Sequence, residues 1–340
     1  MRGTIGRSGA AADRDSRPRP ARRGRLRTTR AVGAAVALTA GLLVGAPGPA
    51  DAAVFSLTWG EPGDIPVPGR YVAGEVKTDP AVYRPSTSTF WVATSRGPIV
   101  RQLGSVGAGV TWTPVPADYD GDGVTDLAVF TRTVTRVGSS HWKILLSSTQ
   151  TVVDTTFGGG GQPVPADYTG DGKADLALFS AGFWTWRSLT GGPTTSVIWG
   201  QGGDIPLPGR YDPHPPLADL AVYRPSNGTW YIRDGVTGAP RSQFWQVVGA
   251  TPAPEQFACT GLMIPTLFRP SDATWWISNV GDGPLGVLFG AVGGLPVAGD
   301  YVGDPGPDVA TWTPSTGLWA ARDLQSMSPT YPSCVPVPPN

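Results

Sequence analysis

The sequence predicts an all-β chain folded as a β-propeller, and three observations carry the prediction. The 340 residues include 47 Gly and 36 Pro without a collagen period, a composition of many turns and few helices. An aromatic anchor recurs at Tyr71, Tyr119, Tyr168, Tyr211, Phe257 and Tyr301, spaced by 48, 49, 43, 46 and 44 residues, the period of an array or a propeller. The repeat is also split: a strand of the type that closes each copy stands before the first anchor, and the last copy ends without one.

Residues 1–52 precede the repeats and read as an export signal. Ten arginines fall in the first 30 residues against Asp13 and Asp15, an apolar stretch runs from Ala31 to Ala46, and Ala50-Asp51-Ala52 supplies an Ala-x-Ala cleavage site. The apolar run is too short for a membrane span. Arg22-Arg23 fits a twin-arginine address as well as general export. Without this segment, 26 − 10 leaves 16 basic residues and 26 − 3 leaves 23 acidic ones, a net charge of −7. An acidic chain without a basic stripe does not suit nucleic acid, which needs clustered Lys and Arg, and is better matched to cations. The exported protein is expected outside the cell or at its surface, as a monomer.

Residues 53–323 hold the repeats. Each anchor is followed by a strand-like run with an aromatic (Tyr83, Phe130, Phe179, Tyr223, Phe268, Trp312) and then by a second run with a tryptophan (Trp91, Trp142, Trp186, Trp230, Trp275, Trp319). Turn sequences such as Arg84-Pro-Ser and Arg224-Pro-Ser-Asn-Gly228 separate the two, as in hairpins. A last element ends in a large apolar residue plus glycine, as in Trp59-Gly60, Phe157-Gly158 and Phe289-Gly290. With four strands per copy, Val54–Trp59 is expected to pair into the last blade and close a ring of six, seven being the alternative count. A linear solenoid would call for capping repeats that the chain lacks. Residues 324–340 form a Pro-rich tail.

The loop after each anchor carries the chemistry. In the second copy Asp118, Asp120, Asp122 and Asp126 stand at loop positions 1, 3, 5 and 9, with glycines at 4 and 6 and the Val124 carbonyl at 7. A hard cation takes six to eight oxygens, and a short loop can wrap one when alternate residues point inward and glycines allow the turn. Position 12 is Val129 rather than a bidentate Glu, and a strand follows, so this is a calcium-type loop between strands and not an EF-hand.

With these residues in view, the chain over 54–323 resembles the FG-GAP/VCBS repeat proteins, whose propeller repeats also form integrin α-subunit heads. The carriers are Ile65-Pro-Val-Pro-Gly-Arg-Tyr71, Val115-Pro-Ala-Asp-Tyr-Asp-Gly-Asp-Gly123, Val164-Pro-Ala-Asp-Tyr-Thr-Gly-Asp-Gly172, Ile205-Pro-Leu-Pro-Gly-Arg-Tyr211 and Val297-Ala-Gly-Asp-Tyr301. The resemblance implies a propeller holding Ca2+ in its loops. It does not imply one function, because such repeats serve adhesion, ligand binding and roles beside secreted enzymes.

The copies differ in ligand quality. The third offers Asp167, Thr169, Asp171, the Lys173 carbonyl and Asp175, one charge fewer than the second. The last keeps Asp300, Asp304 and Asp308 but has Val302 at position 3 and prolines at 305 and 307, a poorer set. In the first and fourth copies Arg70 and Arg210 stand in the leading position, and the fifth has lost the loop, so these are expected to be metal-free. Arg70 and Arg210 could pair with Asp79 and Asp219 instead.

Cys259 and Cys334 are expected to form one disulfide in an oxidising compartment. Most of the 13 tryptophans sit at repeat positions and read as core, whereas Trp112, Trp184 and Trp276 fall off register and are candidates for stacking on a ligand. Catalytic motifs are missing: His141 and His214 lie in no nucleophile or metal signature, and Glu61, Glu75 and Glu255 are the three glutamates. The expected function is a secreted calcium-binding module that recognises a glycan or a protein. The alternative is a polysaccharide hydrolase or lyase acting at the ring's central opening.

Overall fold

The computed structural model describes residues 55–105, 110–132, 140–257, 260–280, 283–303 and 306–324. The export segment, the tail after Leu324, Asp304 and both cysteines, with their expected disulfide, lie outside the described residues. The described residues form six antiparallel four-stranded sheets, arranged as the blades of a six-bladed propeller. No described helix is long and apolar enough to cross a membrane.

Blade 1 shows the plan. A two-residue first strand, Ile65–Pro66, leads through the anchor loop to Ala81–Arg84, then to Thr89–Thr94 and Gly97–Gln102. Blades 2 to 5 repeat it over residues 113–156, 162–198, 205–244 and 251–288. The second strands are apolar runs buried on both faces, the third alternate, and the fourth leave every other residue exposed at the blade's outer edge.

Aromatic pairs fill each blade. Directly across from Tyr83, Phe130, Phe179, Tyr223, Phe268 and Trp312 lie Phe90, Trp142, Trp184, Trp230, Trp275 and Trp319, all fully buried or nearly so. This corrects the expected tryptophan set in two blades. In blade 1 the partner is Phe90, and Trp91, one residue on, turns to the opposite face beneath the Arg84 guanidinium. In blade 3 it is Trp184, because strands Leu176–Ser180 and Phe183–Arg187 are joined by only Ala181 and Gly182. Both adopt positive φ (49° and 94°), as a tight two-residue hairpin turn requires, and the shorter turn moves the paired position toward the N-terminus.

Blade 6 closes as the split repeat predicts. Leu295–Pro296, Val309–Thr313 and Leu318–Arg322 are joined by Phe55–Thr58, which pairs with the third strand from Phe55 opposite Ala321 to Thr58 opposite Leu318. The Trp59 carbonyl accepts both the Trp312 and the Trp319 indole N–H, at 3.1 and 2.9 Å. The Trp59 indole in turn donates to the Trp91 carbonyl of blade 1.

A second set of bonds runs around the ring at the anchor loops. The carbonyl at loop position 1 accepts the N–H just before the loop-base residue of the next blade: Arg70 from Thr125, Asp118 from Ala174, Asp167 from Ala218, Arg210 from Met263, and Asp300 from Thr78, at 2.5 to 2.7 Å. At the junction of blades 5 and 6 the equivalent residue is Pro307, which has no N–H to donate.

Shortening the protein to begin at Gly60 rather than Ala53 should lower its melting temperature. Two indole hydrogen bonds, each contributing about 1 kcal/mol, lose their acceptor together with the strand's apolar contacts. Thermal melting of the two forms checks this, and equal melting temperatures would show that the N-terminal strand does not close the ring.

Candidate functional site

Each anchor loop rests on one buried carboxylate. Asp79, Asp126, Asp175, Asp219 and Asp308 are all at most 5% exposed. Each accepts the N–H of the anchor tyrosine through Oδ2, at 2.7 to 2.9 Å. The tyrosine hydroxyl then donates to the carbonyl four residues earlier, on or beside the first strand. Blade 5 replaces the pair with Phe257 and Ile264.

In blade 2 the loop folds as its spacing predicts. Gly121 and Gly123 both take φ of 81°, and their N–H groups donate to Asp118 at 2.6 and 2.8 Å. Asp118, Asp120 and Asp126 bring one carboxylate oxygen each within 4.8 Å of one another. Asp122 does not join them: it accepts the Val124 N–H through Oδ1 and the Ser147 hydroxyl through Oδ2. Ser147 and Ser148, on the turn between the blade's third and fourth strands, were not foreseen. The Ser147 N–H donates to Asp126 at 2.6 Å, and the Ser148 hydroxyl to Asp120 at 2.6 Å. The only sequence signal for them is a pair of serines at a hairpin tip, and their contact with the loop spans 21 to 28 residues.

The set fits a hard cation. Asp126 is fully buried, and burial pushes its carboxyl above the usual aspartate range. The Ser147 and Tyr119 N–H groups oppose that rise, while the negative charge of Asp120 adds to it. None of the described hydrogen bonds to the three carboxylates comes from a cationic side chain. Three oxygens of like charge thus face one another with only neutral donors between them.

Blade 3 repeats the backbone, with φ of 80° at Gly170 and Gly172 and both N–H groups on Asp167. Its polar groups are engaged among themselves. Thr169 donates its hydroxyl to Asp175, and Asp171 accepts the Lys173 N–H. Among the described residues, Asp167, Asp171 and Asp175 do not form a close group like that of blade 2. In blade 6, Asp300 accepts the Gly303 N–H and Asp308 the Val302 N–H. Burial raises the Asp300 carboxyl, while Lys77 and Arg70 from blade 1 work against the rise.

Blade 4, expected to be bare, also gathers acids: Asp212, Asp219 and Asp234. Here a guanidinium and an imidazole meet them. Arg241 reaches Asp212 at 3.0 Å, and the His214 ring lies 2.5 Å from Asp234. Burial pushes Asp234 up, but the Thr237 and Val236 N–H groups and His214 outweigh it and leave the carboxyl below its ordinary value. The cationic side chain paired with the blade 4 acids is Arg241 on the fourth strand and not Arg210. The described ion pairs join neither Arg210 to Asp219 nor Arg70 to Asp79.

The three off-register tryptophans are not laid out on a surface. Trp184 is fully buried against Phe179, Trp112 is 7% exposed with its indole on the Ser105 carbonyl, and Trp276 is partly buried beneath Arg269.

Trp184→Ala should therefore cost about 3–5 kcal/mol of stability in urea unfolding, as core tryptophan truncations do; an unchanged midpoint would return Trp184 to the surface. A second expectation concerns acid. Burial holds Asp79 at about 6, above its ordinary 3.8. An acid whose folded pKa is raised favours folding below the unfolded value, and that contribution is lost as pH climbs through the folded one. From pH 4 to above 6, Asp79 should thus withdraw up to about 3 kcal/mol, and Asp79→Asn should flatten that slope in melts across this range.

No family model and no curated protein matches the chain. Among solved structures it is similar to an Agrocybe aegerita lectin that recognises non-reducing terminal N-acetylglucosamine, at 14% identity and a TM-score of 0.46 over 75% of each chain. It is also similar to BBS1N in its complex with ARL6DN, at 12% identity and a TM-score of 0.48, over 76% of this chain and 78% of that one.

Proposed function

We propose that the protein is an exported β-propeller of the FG-GAP/VCBS kind, held rigid by Ca2+, that serves as a binding module for a glycan or a protein. The observation that carries this is the convergence of Asp118, Asp120 and Asp126 in one loop, with Asp126 fully buried and only neutral donors around them. Asp118, Asp120 and Asp126 would hold the ion, with further oxygens available from the same loop. A bound divalent ion would neutralise the mutual repulsion of the carboxylates and tie the loop to the Ser147–Ser148 turn that already contacts it. The export reading rests on the arginine-rich, apolar and Ala-x-Ala segment of residues 1–52. The binding reading rests on a rigid ring that displays many loops and on the lack of a catalytic motif in the sequence.

Calcium in hundredfold excess over its Kd should stabilise the protein by roughly 2.7 kcal/mol relative to chelator. The rise should shrink strongly in Asp120→Ala and persist in Asp171→Ala, which alters the blade 3 loop. Differential scanning calorimetry with calcium, magnesium and chelator decides this. Melting curves that coincide in all three solutions would reduce the loop to a hairpin cap.

A further inference from the structure

The turn between the third and fourth strands of blade 2 meets its anchor loop with more than backbone. Ser147 sends its N–H to Asp126 at 2.6 Å and its hydroxyl to Asp122 at 2.9 Å. Ser148 donates both its N–H and its hydroxyl to Oδ2 of Asp120, at 3.3 and 2.6 Å. Strand register places the same two positions at Ser95 and Arg96 in blade 1, Leu189 and Thr190 in blade 3, and Gly235 and Val236 in blade 4. The backbone bond recurs: the Gly235 N–H donates to Asp219, the blade 4 counterpart of Asp126, at 2.8 Å. That bond belongs to the fold. The pair of hydroxyls on loop acids is particular to blade 2 among these four. In blade 1 the Ser95 hydroxyl reaches Glu75, but Arg96 stands 3.6 Å from the same oxygen, and in blade 3 the Thr190 hydroxyl meets Ser188 of its own turn.

The two hydroxyls act on the carboxylates in opposite senses. Asp118, Asp120 and Asp126 bring like charges within 4.8 Å, and their repulsion pushes Asp120 away from the other two. A hydroxyl bond to a carboxylate is charge-assisted and stronger than a neutral one, and Ser148 uses it to hold Asp120 in the group. Ser147 holds Asp122 outside, so three charges face one another and not four. Beyond Ser148 the turn is tied to itself. Gln150, at a φ of 56°, donates its N–H to the Leu146 carbonyl at 2.9 Å and its side-chain amide to the Ser147 carbonyl at 2.8 Å, while the Thr149 and Thr151 hydroxyls meet at 2.7 Å. Residues 148–151 are all exposed. A shift at Ser148 therefore carries this tip with it.

We infer that Ser148 is a positioning residue for the ion of the blade 2 loop, and that it passes occupancy of the loop to the exposed tip, so that calcium controls the order of residues 148–151. The inference rests on the calcium reading above and adds a consequence to it. Once the repulsion among the three carboxylates is neutralised, Asp120 stays in place and holds Ser148 more firmly. The coupling is reciprocal: whatever fixes the tip tightens ion binding by the same factor. The tip is thus the part of the ring's surface where recognition of a partner would follow calcium.

Isothermal titration of calcium into the purified full chain, paired with hydrogen exchange over residues 147–151, tests this. Ser148 is exposed and outside the core, so its variants keep the fold. Ser148→Ala should bind calcium about tenfold more weakly, the worth of one hydrogen bond to a charged group. Ser148→Thr, which keeps the hydroxyl, should restore the affinity, and Ser188→Ala in the blade 3 turn should leave it unchanged. Calcium should slow exchange over residues 147–151 in the wild type, and in Ser148→Ala that slowing should be lost even at saturating calcium. Wild-type affinity in Ser148→Ala, or calcium binding that leaves exchange at the tip unchanged, would overturn the inference and leave the calcium site standing. No saturable calcium binding in the wild type would overturn both.

Discussion

The ring depends on one small unit, a buried aspartate that fixes an anchor tyrosine by its backbone N–H while the tyrosine hydroxyl returns to a carbonyl beside the first strand. The unit shapes the loop, and the loop's first carbonyl then accepts an N–H from the next blade. Local and inter-blade order are thereby coupled. A blade cannot shift without disturbing the aspartate-bound loop of its neighbour. The burial that makes the unit rigid also raises the pKa of Asp79, Asp126, Asp175 and Asp219, and burial raises that of Asp300 in the blade 6 loop, so these loops carry an electrostatic strain that the chain must offset.

The blades offset it in different ways. Blade 4 sets Arg241 and His214 against its acids, and blade 6 leans on Lys77 and Arg70 from the next blade. Blade 3 spends a threonine hydroxyl and backbone N–H groups. Blade 2 alone among these loops gathers three carboxylates around neutral donors, which makes it the natural seat for an ion. Blade 5 gives up both the aspartate and the tyrosine for Ile264 and Phe257, and carries an acid, Glu255, two residues before the anchor, where the other blades have Gly or Ala.

The sequence by itself determined the all-β class, the six blades and the closure by the N-terminal strand, because period, turn residues and alternation are local properties that recur along the chain. It also placed the blade 2 loop, since ligand spacing and glycine positions lie within nine residues. It could not assign which tryptophan faces inward, because a two-residue turn at Ala181-Gly182 shifts the paired position and a one-residue offset turns Trp91 to the other face. Nor could it show Ser147 and Ser148 over the loop, or Arg241 and His214 on the blade 4 acids. Those are contacts between segments distant in sequence, and only the closing of the sheets into a ring decides which side chains share one seam.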